Sequence, residues 1–196
     1  LEYSPGTGWY SEILGPLLSR GGTYYAAPPA GKFADAFAAR VAADPARYGK
    51  ITIVPWPPAD SVVPPGSVDE VLTFRTVHNM VMGDTADDSF RRFYAMLKPG
   101  GVLGVFDHRL PESRDTTLEK TSGYLKVSTV RRLAEQAGFV LEAQSEINAN
   151  PKDDADHPKG VWTLPPTLTM GEQDRDSWLA IGESDRMTLR FRKPRG

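Results

Sequence analysis

The feature that most constrains the fold is a glycine-rich turn between a short apolar segment and an amphipathic one. It lies in the first ten residues, Leu1-Glu2-Tyr3-Ser4-Pro5-Gly6-Thr7-Gly8-Trp9-Tyr10. From Tyr10 to Leu18 apolar residues recur at helical spacing, which predicts a strand, a glycine loop and a helix in succession. Gly6 and Gly8 permit positive φ and leave no Cβ to block a ligand, and the following helix directs unpaired N–H groups into the loop. This arrangement is typical of a site for a small, partly anionic molecule, although an ordinary strand-to-helix turn would also fit.

Strand and helix patterns alternate along most of the chain. Further segments rich in strand-forming residues are found at 23–27, 51–54, 68–74, 102–106, 139–147 and 186–191. Segments with helical spacing lie at 32–43, 85–97 and 128–137. The alternation predicts an α/β, Rossmann-like, doubly wound fold with a mostly parallel seven-stranded sheet and an antiparallel edge strand.

The domain organisation follows from the same pattern. We expect a single domain over residues 1–196, whose N-terminal part is missing because the chain begins inside the first predicted strand. Residues 148–182 have little periodicity, and we expect them to form a C-terminal cap-like insertion before the last strand.

Composition and charge narrow the choice of partners. The net charge is -2 and no apolar run approaches the ~20 residues that span a bilayer, so we expect a small-molecule substrate, no nucleic acid and no membrane insertion. The absence of cysteine excludes disulfides, thiolate catalysis and cysteine-ligated zinc. A cytoplasmic or a periplasmic location is compatible with these features, and the sequence specifies no oligomeric state.

Polar residues follow two predicted strands that are far apart in sequence. Residues 75–79 come directly after the fourth strand, and residues 107–109 come directly after the fifth. Ligands of open parallel sheets bind beyond the carboxyl ends of the strands, beside the first strand. We therefore expect both groups to share one rim with the glycine loop.

Three blocks resemble the class I S-adenosylmethionine-dependent methyltransferases. Glu2-x-Ser4-x-Gly6-x-Gly8 is similar to their E/D-x-G-x-G-x-G motif, residues 65–72 resemble their fourth strand, and residues 97–103 resemble their corner before the fifth strand. The order and spacing agree over residues 1–147. A narrower resemblance, to a bacterial group of predicted methyltransferases with unassigned substrate, is carried by residues 74–79, 107–109, 146–153, 161–166 and 182–187.

The resemblance implies S-adenosylmethionine as cofactor and methyl donor. It implies that Gly6 and Gly8 let the backbone approach the methionine part, while Glu2 orders the loop or meets the amino group. The cofactor-binding residues expected on this basis are Glu2, Ser4, Gly6, Thr7, Gly8, Asp60 and Arg75.

Three positions depart from the family pattern. Ser4 replaces the first glycine, and Ala26-Ala27-Pro28 stands where an acid normally holds the ribose hydroxyls. Pro57 falls about where an acid or amide usually meets the adenine amine, with Asp60 shifted nearby. Cofactor contacts at these positions are therefore expected to differ from those of the family.

Histidine suits the role of general base in an in-line methyl transfer near neutral pH. His78 and His108 follow adjacent strand ends and are the predicted catalytic residues, although a structural role for them is equally compatible with the sequence. Asn79, Arg109 and Trp162 are expected to bind substrate. Arg75 and Arg109 could instead pair with a nearby acid, and Asp107, Asp69 and Glu70 are the candidates.

No metal is expected. His78, His108, Asp107 and Glu146 could supply ligands, but none of the histidine spacings matches a known metal-binding motif.

The predicted function is S-adenosylmethionine-dependent methyl transfer to a small-molecule acceptor. A catalytically degenerate methyltransferase fold, kept as a binding or sensor module, is the alternative that the missing ribose acid favours. A nicotinamide dinucleotide oxidoreductase would require a third glycine where Ser11 stands and an acid after the second strand, and neither is present.

Overall fold

The computed structural model describes residues 1–195, and strands and helices alternate along them. The strands are β1 (Glu2–Tyr3), β2 (Tyr24–Ala27), β3 (Ile51–Ile53), β4 (Val68–Phe74), β5 (Leu97–His108), β6 (Val140–Ser145), β7 (Pro158–Val161) and β8 (Arg186–Arg192). The helices are α1 (Ser11–Leu18), α2 (Lys32–Ala43), α3 (Pro45–Tyr48), α4 (Val77–Met82), α5 (Ala86–Met96), α6 (Val127–Ala137) and α7 (Arg175–Ile181), with a 3-10 helix at Thr116–Lys120. Within residues 1–195, no helix combines the length and the apolar character that crossing a membrane requires.

One seven-stranded sheet organises the fold, in the order β3-β2-β1-β4-β5-β8-β6. Strands β3, β2, β1, β4 and β5 are parallel, whereas β8 is antiparallel to both β5 and β6. The predicted doubly wound, mostly parallel sheet is thus confirmed, and its antiparallel strand pairs with the edge strand β6. The strand order reverses beside β1, so the loops after β1 and β4 lie side by side, as expected of a ligand-binding edge.

The two faces of the sheet carry separate hydrophobic clusters. On one face, Phe90 and Phe93 of α5 pack with Leu103 of β5 and are fully buried. On the other face, Phe37 of α2 packs with Tyr24 of β2. Full burial of a large apolar side chain contributes roughly 1.5–3 kcal/mol, so these aromatic residues fix the helices that precede and follow the site.

Helix α4 is an element that the sequence pattern did not reveal, because six residues are too short for helical periodicity to be seen. The first backbone N–H groups of a helix lack partners within the helix. Here the N–H groups of Val77 (2.7 Å) and His78 (3.2 Å) donate to Oδ2 of Asp107. A carboxylate at the end of β5 therefore fixes where α4 begins.

Residues 148–182, which contain β7 and α7, are tied to the rest of the chain through the buried carboxylate of Asp153. This carboxylate accepts hydrogen bonds from the Tyr124 hydroxyl (2.9 Å) and the Asp185 backbone N–H (2.7 Å), and it bonds Nε2 of His157 (2.7 Å). The ties run to the loop after β5 and to the residue before β8. They hold the segment against the carboxyl end of the sheet.

Candidate functional site

A cavity of about 410 Å³ lies at the carboxyl ends of β1, β4 and β5. Most of the residues predicted for the site line it: Glu2, Ser4, Gly6, Thr7, Arg75, His78, Asn79, His108 and Trp162. The topology therefore brings the glycine loop, the two histidines and the 148–182 segment to one place.

The glycine loop is held in shape by its backbone conformation. Ser4 adopts φ +52°, in the left-handed region that favours glycine, and so occupies the first-glycine position with glycine-like geometry. A Cβ built on Gly6 (φ +59°) would meet no atom within 4 Å, whereas one on Gly8 would lie 3.1 Å from the Phe37 ring. Gly6 thus leaves its side of the loop open to the cavity, and Gly8 serves packing against α2.

Glu2 is buried beneath the loop and also lines the cavity. Its Oε2 accepts hydrogen bonds from the hydroxyls of Ser11 (2.7 Å) and Tyr24. Burial raises the pKa of Glu2 above its usual value, although the two hydroxyls oppose the shift. Ser11, which stands where a dinucleotide-binding motif would have its third glycine, instead links α1 to this carboxyl group.

The side of the cavity next to the glycine loop lacks the acids that the methyltransferase resemblance implies. Ala26 and Ala27 at the end of β2 are fully buried. Asp60 is exposed and, within residues 1–195, is not among the residues that line the cavity. Asp60 therefore lies outside this cavity, and the structure gives no contact between it and the glycine loop.

On the opposite side, Asp107 is the centre of a buried hydrogen-bond network. Its Oδ1 lies 2.8 Å from Nδ1 of His78 and accepts the backbone N–H of His108 (2.8 Å), while its Oδ2 accepts the two N–H groups at the start of α4. Burial alone would raise the pKa of Asp107, but His78 and these hydrogen bonds hold it below its usual value. The carboxylate is therefore ionised and positions His78.

His108 lies beside His78, with 5.1 Å between the ring centroids. Its Nδ1 is 2.6 Å from Oγ of Ser184, a residue just before β8. Burial lowers the pKa of His108 to about 3, with Asp107 opposing the shift. His108 is therefore a neutral imidazole at physiological pH.

Two arginines line the cavity. Arg75 follows β4 with φ +56°, a strained conformation for a side chain of this size. Arg186 opens β8, its guanidinium lies 5.4 Å from the Phe106 ring, and it pairs with Glu183. Neither Arg186 nor Ser184 was predicted as a site residue, although both lie in the block 182–187 that carried the narrower resemblance.

The side chain of Arg109 forms ion pairs and does not line the cavity. Its guanidinium donates to both carboxylate oxygens of Asp185 (2.7 and 2.9 Å) and to Glu146 (2.6 Å). The hydrogen bond with Asp185 is the main reason that the pKa of Arg109 is raised. The predicted substrate contact is therefore not formed by the cavity, and the acids that pair with Arg109 are not the three that the sequence suggested.

The ligand atoms of His78, Asp107 and His108 lie within 4.8 Å of one another, as do those of Asp153, Asp154 and His157. Both oxygens of Asp107 already accept N–H groups, and Glu146 is held by Arg109. A metal at the first cluster would have to displace the hydrogen bonds that begin helix α4.

Comparison of the sequence with protein-family models gives no match, and comparison with curated proteins gives no significant match. Solved structures do match. The [4+2]-cyclase SpnF gives a TM-score of 0.64 at 16% identity, covering 100% of this chain and 74% of that one. A SAM-dependent methyltransferase from Aquifex aeolicus gives 0.63 at 12% identity, covering 98% and 80%.

A third structure holds a ligand. Phosphoethanolamine N-methyltransferase 2 of Haemonchus contortus, in complex with S-adenosyl-L-methionine, gives a TM-score of 0.61 at 17% identity. The match covers 98% of this chain and 48% of that protein. Likeness at this level of identity concerns the fold, and a fold hosts more than one chemistry, as a cyclase among the matches illustrates. The chain has the fold of the class I S-adenosylmethionine-dependent methyltransferases.

Proposed function

We propose that the chain binds S-adenosylmethionine against the loop Ser4–Gly8 and transfers its methyl group to a small-molecule acceptor held beside His78 and His108. The observation that carries the proposal is the meeting of these two groups in one cavity of about 410 Å³, a volume within the range of small-molecule sites. The methyltransferase fold supports the choice of donor.

The residues present fit this donor at its amino-acid end. Gly6 has open space where a Cβ would stand, so a ligand can approach the backbone closely. Arg75 lines the same cavity and offers a cation to a carboxylate. At the ribose end the fit is less typical, because Ala26 and Ala27 cannot accept hydrogen bonds through their side chains.

His78 has the arrangement of a general base. When bound, S-adenosylmethionine would supply an electrophilic methyl group on a sulfonium. Asp107 accepts a hydrogen bond from Nδ1–H of His78, which fixes the ring and leaves Nε2 to take a proton from the acceptor. The buried carboxylate then stabilises the imidazolium that forms.

The alternative is a binding or sensor module without turnover. The feature that favours it is the missing ribose acid, since Ala26-Ala27-Pro28 stands at that position. The two functions differ in one respect: only the enzyme consumes the donor. Release of S-adenosylhomocysteine from S-adenosylmethionine, in the presence of a hydroxyl-containing metabolite mixture, separates them.

Calorimetric titration with S-adenosylhomocysteine tests the donor site. We expect binding by the wild-type protein and at least tenfold weaker binding by Gly6→Ala, because the new methyl group would occupy the open side of the loop. Gly66→Ala is the matched control, because Gly66 has φ +66°, has the same open surroundings and does not line the cavity. Each variant introduces left-handed alanine at a cost of roughly 1–2 kcal/mol.

No heat with millimolar S-adenosylhomocysteine would contradict the proposal. Equal weakening by both variants would also contradict it, since loss of stability rather than loss of the site would then explain the effect.

A further inference from the structure

The hydrogen bonds around His78 determine which of its ring nitrogens carries the proton. An ionised carboxylate only accepts hydrogen bonds, so the 2.8 Å contact with Oδ1 of Asp107 requires a proton on Nδ1 of the neutral ring. Nε2 is then left with its lone pair. Because His78 lines the cavity, this nitrogen is the proton acceptor available to a ligand.

The hydrogen bonds around His108 lead to the opposite assignment. Ser184 is buried, and its Oγ lies 3.3 Å from Nε of Arg186, a group that can only donate. The other side-chain partner of this hydroxyl within residues 1–195 is Nδ1 of His108, at 2.6 Å. A buried hydroxyl proton needs an acceptor, so it goes to Nδ1, and the ring proton of neutral His108 resides on Nε2.

The charges facing the cavity favour one class of acceptor over another. The guanidinium groups of Arg75 and Arg186 both line it. Arg186 is paired with Glu183, and Glu2, beneath the glycine loop, is the one acid among the residues that line the cavity in the described part of the chain. A protonated amine beside the histidines would therefore meet a cation and no free carboxylate. The aromatic ring of Trp162, with centroid 6.2 Å from that of His78, provides an apolar wall beside the histidines.

We propose that His78 and His108 act as a matched pair, with Nε2 of His78 accepting a proton and Nε2–H of His108 donating a hydrogen bond, and that the acceptor is a neutral hydroxyl compound methylated on oxygen. This inference rests on the proposed function. A hydroxyl oxygen has two lone pairs, so it can accept from His108 and still attack the methyl carbon. A neutral amine nitrogen has one lone pair and cannot do both.

With a hydroxyl acceptor, the transfer conserves atoms and charge. The acceptor oxygen forms the new C–O bond, the C–S bond of the donor breaks with its electron pair remaining on sulfur, and the hydroxyl proton passes to Nε2 of His78. The products are a methyl ether, the neutral thioether and one proton, which His78 later releases to water. Asp107 and Ser184 are positioning residues, because they act through the histidines.

Nitrogen-15 spectroscopy of histidine-labelled protein tests the assignment directly. The sequence contains three histidines, so His→Gln variants assign every ring. At pH 7 we expect Nδ1 of His78 and Nε2 of His108 to be protonated, with lone pairs on the other two nitrogens. The same tautomer in both rings would overturn the inference.

A variant of Ser184 tests whether this residue sets the tautomer of His108 or merely packs against it. Ser184→Ala should move the His108 proton toward Nδ1, because the donor to that nitrogen is lost, while His78 keeps its tautomer. Ser89→Ala, at a buried serine on α5, is the control and should change neither ring. An unchanged His108 spectrum in Ser184→Ala would overturn the role assigned to Ser184.

Two probe compounds test the acceptor class. In the presence of S-adenosylhomocysteine, millimolar phenol should shift the Nε2 signals of both rings, and benzylamine, which is cationic at pH 7, should shift neither. The reverse result, or no effect of phenol, would overturn the hydroxyl assignment. If S-adenosylhomocysteine itself fails to bind while the tautomers are as stated, the proposed donor is wrong and the histidine pair stands.

Discussion

The proposed donor side and the proposed acceptor side of the cavity are built in different ways. The donor side is a short loop, Ser4–Gly8, whose shape comes from positive φ angles and whose Thr7 is exposed. The acceptor side is a buried network centred on Asp107, with contacts between residues that are 29 and 76 positions apart in sequence. A loop whose shape depends on local backbone conformation should tolerate substitution of its side chains. A buried network in which every polar group has a partner should not, because each substitution leaves another group without its hydrogen bond.

The largest expected effect is at the centre of the network. Asp107→Asn places an amide where four N–H groups need acceptors, and we expect a loss of about 3 kcal/mol in the free energy of unfolding, measured with urea at pH 7. Asp69→Asn is the control, because Asp69 is exposed and pairs with Lys98, and an exposed pair contributes at most about 1 kcal/mol.

Acid unfolding sharpens this prediction. The pKa of Asp107 is lower in the folded than in the unfolded chain, so its stabilisation is present above the unfolded value of about 3.9 and is lost as the pH falls below it. Equal losses for Asp107→Asn and Asp69→Asn would show that the two carboxylates are equivalent and would break the comparison.

The burial of His108 is expected to have a smaller effect on the free energy of unfolding, and this effect depends on pH. Its pKa is about 3 in the folded chain and near 6.5 when unfolded, so the unfolded state binds the extra proton as the pH falls through this range. Stability should decline by about 1.4 kcal/mol per pH unit below pH 6.5, or about 2 kcal/mol at pH 5. Unfolding of the wild type and His108→Gln at pH 7, 6 and 5 measures the difference. Parallel curves for the two proteins would mean that the buried ring is not kept neutral.

The smallest effect on the free energy of unfolding is expected from a substitution in the glycine loop. Ser4→Gly relieves a left-handed side chain but loosens the unfolded chain, and the net gain should be about 0.5 kcal/mol. Affinity for S-adenosylhomocysteine should not change, because the backbone conformation is kept. A marked loss of affinity would show that the Ser4 hydroxyl contacts the ligand, and the donor side would then depend on side chains as the acceptor side does.

The contrast between local conformation and long-range contacts also explains which features the sequence could predict. The glycine loop and the sheet follow from spacing within short windows, and the approach of His78 to His108 follows from the order of adjacent strands. The partners of Arg109 and the contact between Ser184 and His108 do not, because they depend on how residues 182–187 meet the end of β5. Helix α4 was missed because its six residues are too few to show helical periodicity, and the carboxylate that sets its start comes from a distant strand.

The place of β8 in the sheet has a consequence for synthesis. Strand β8 (Arg186–Arg192) lies between β5 and β6, so these two strands have no neighbour in common until residues 186–192 have left the ribosome. Ser184 and Arg186 arrive with the same segment. A nascent chain that already carries the glycine loop and both histidines therefore still lacks Ser184, and the contact between its hydroxyl and His108 forms only once this segment has emerged.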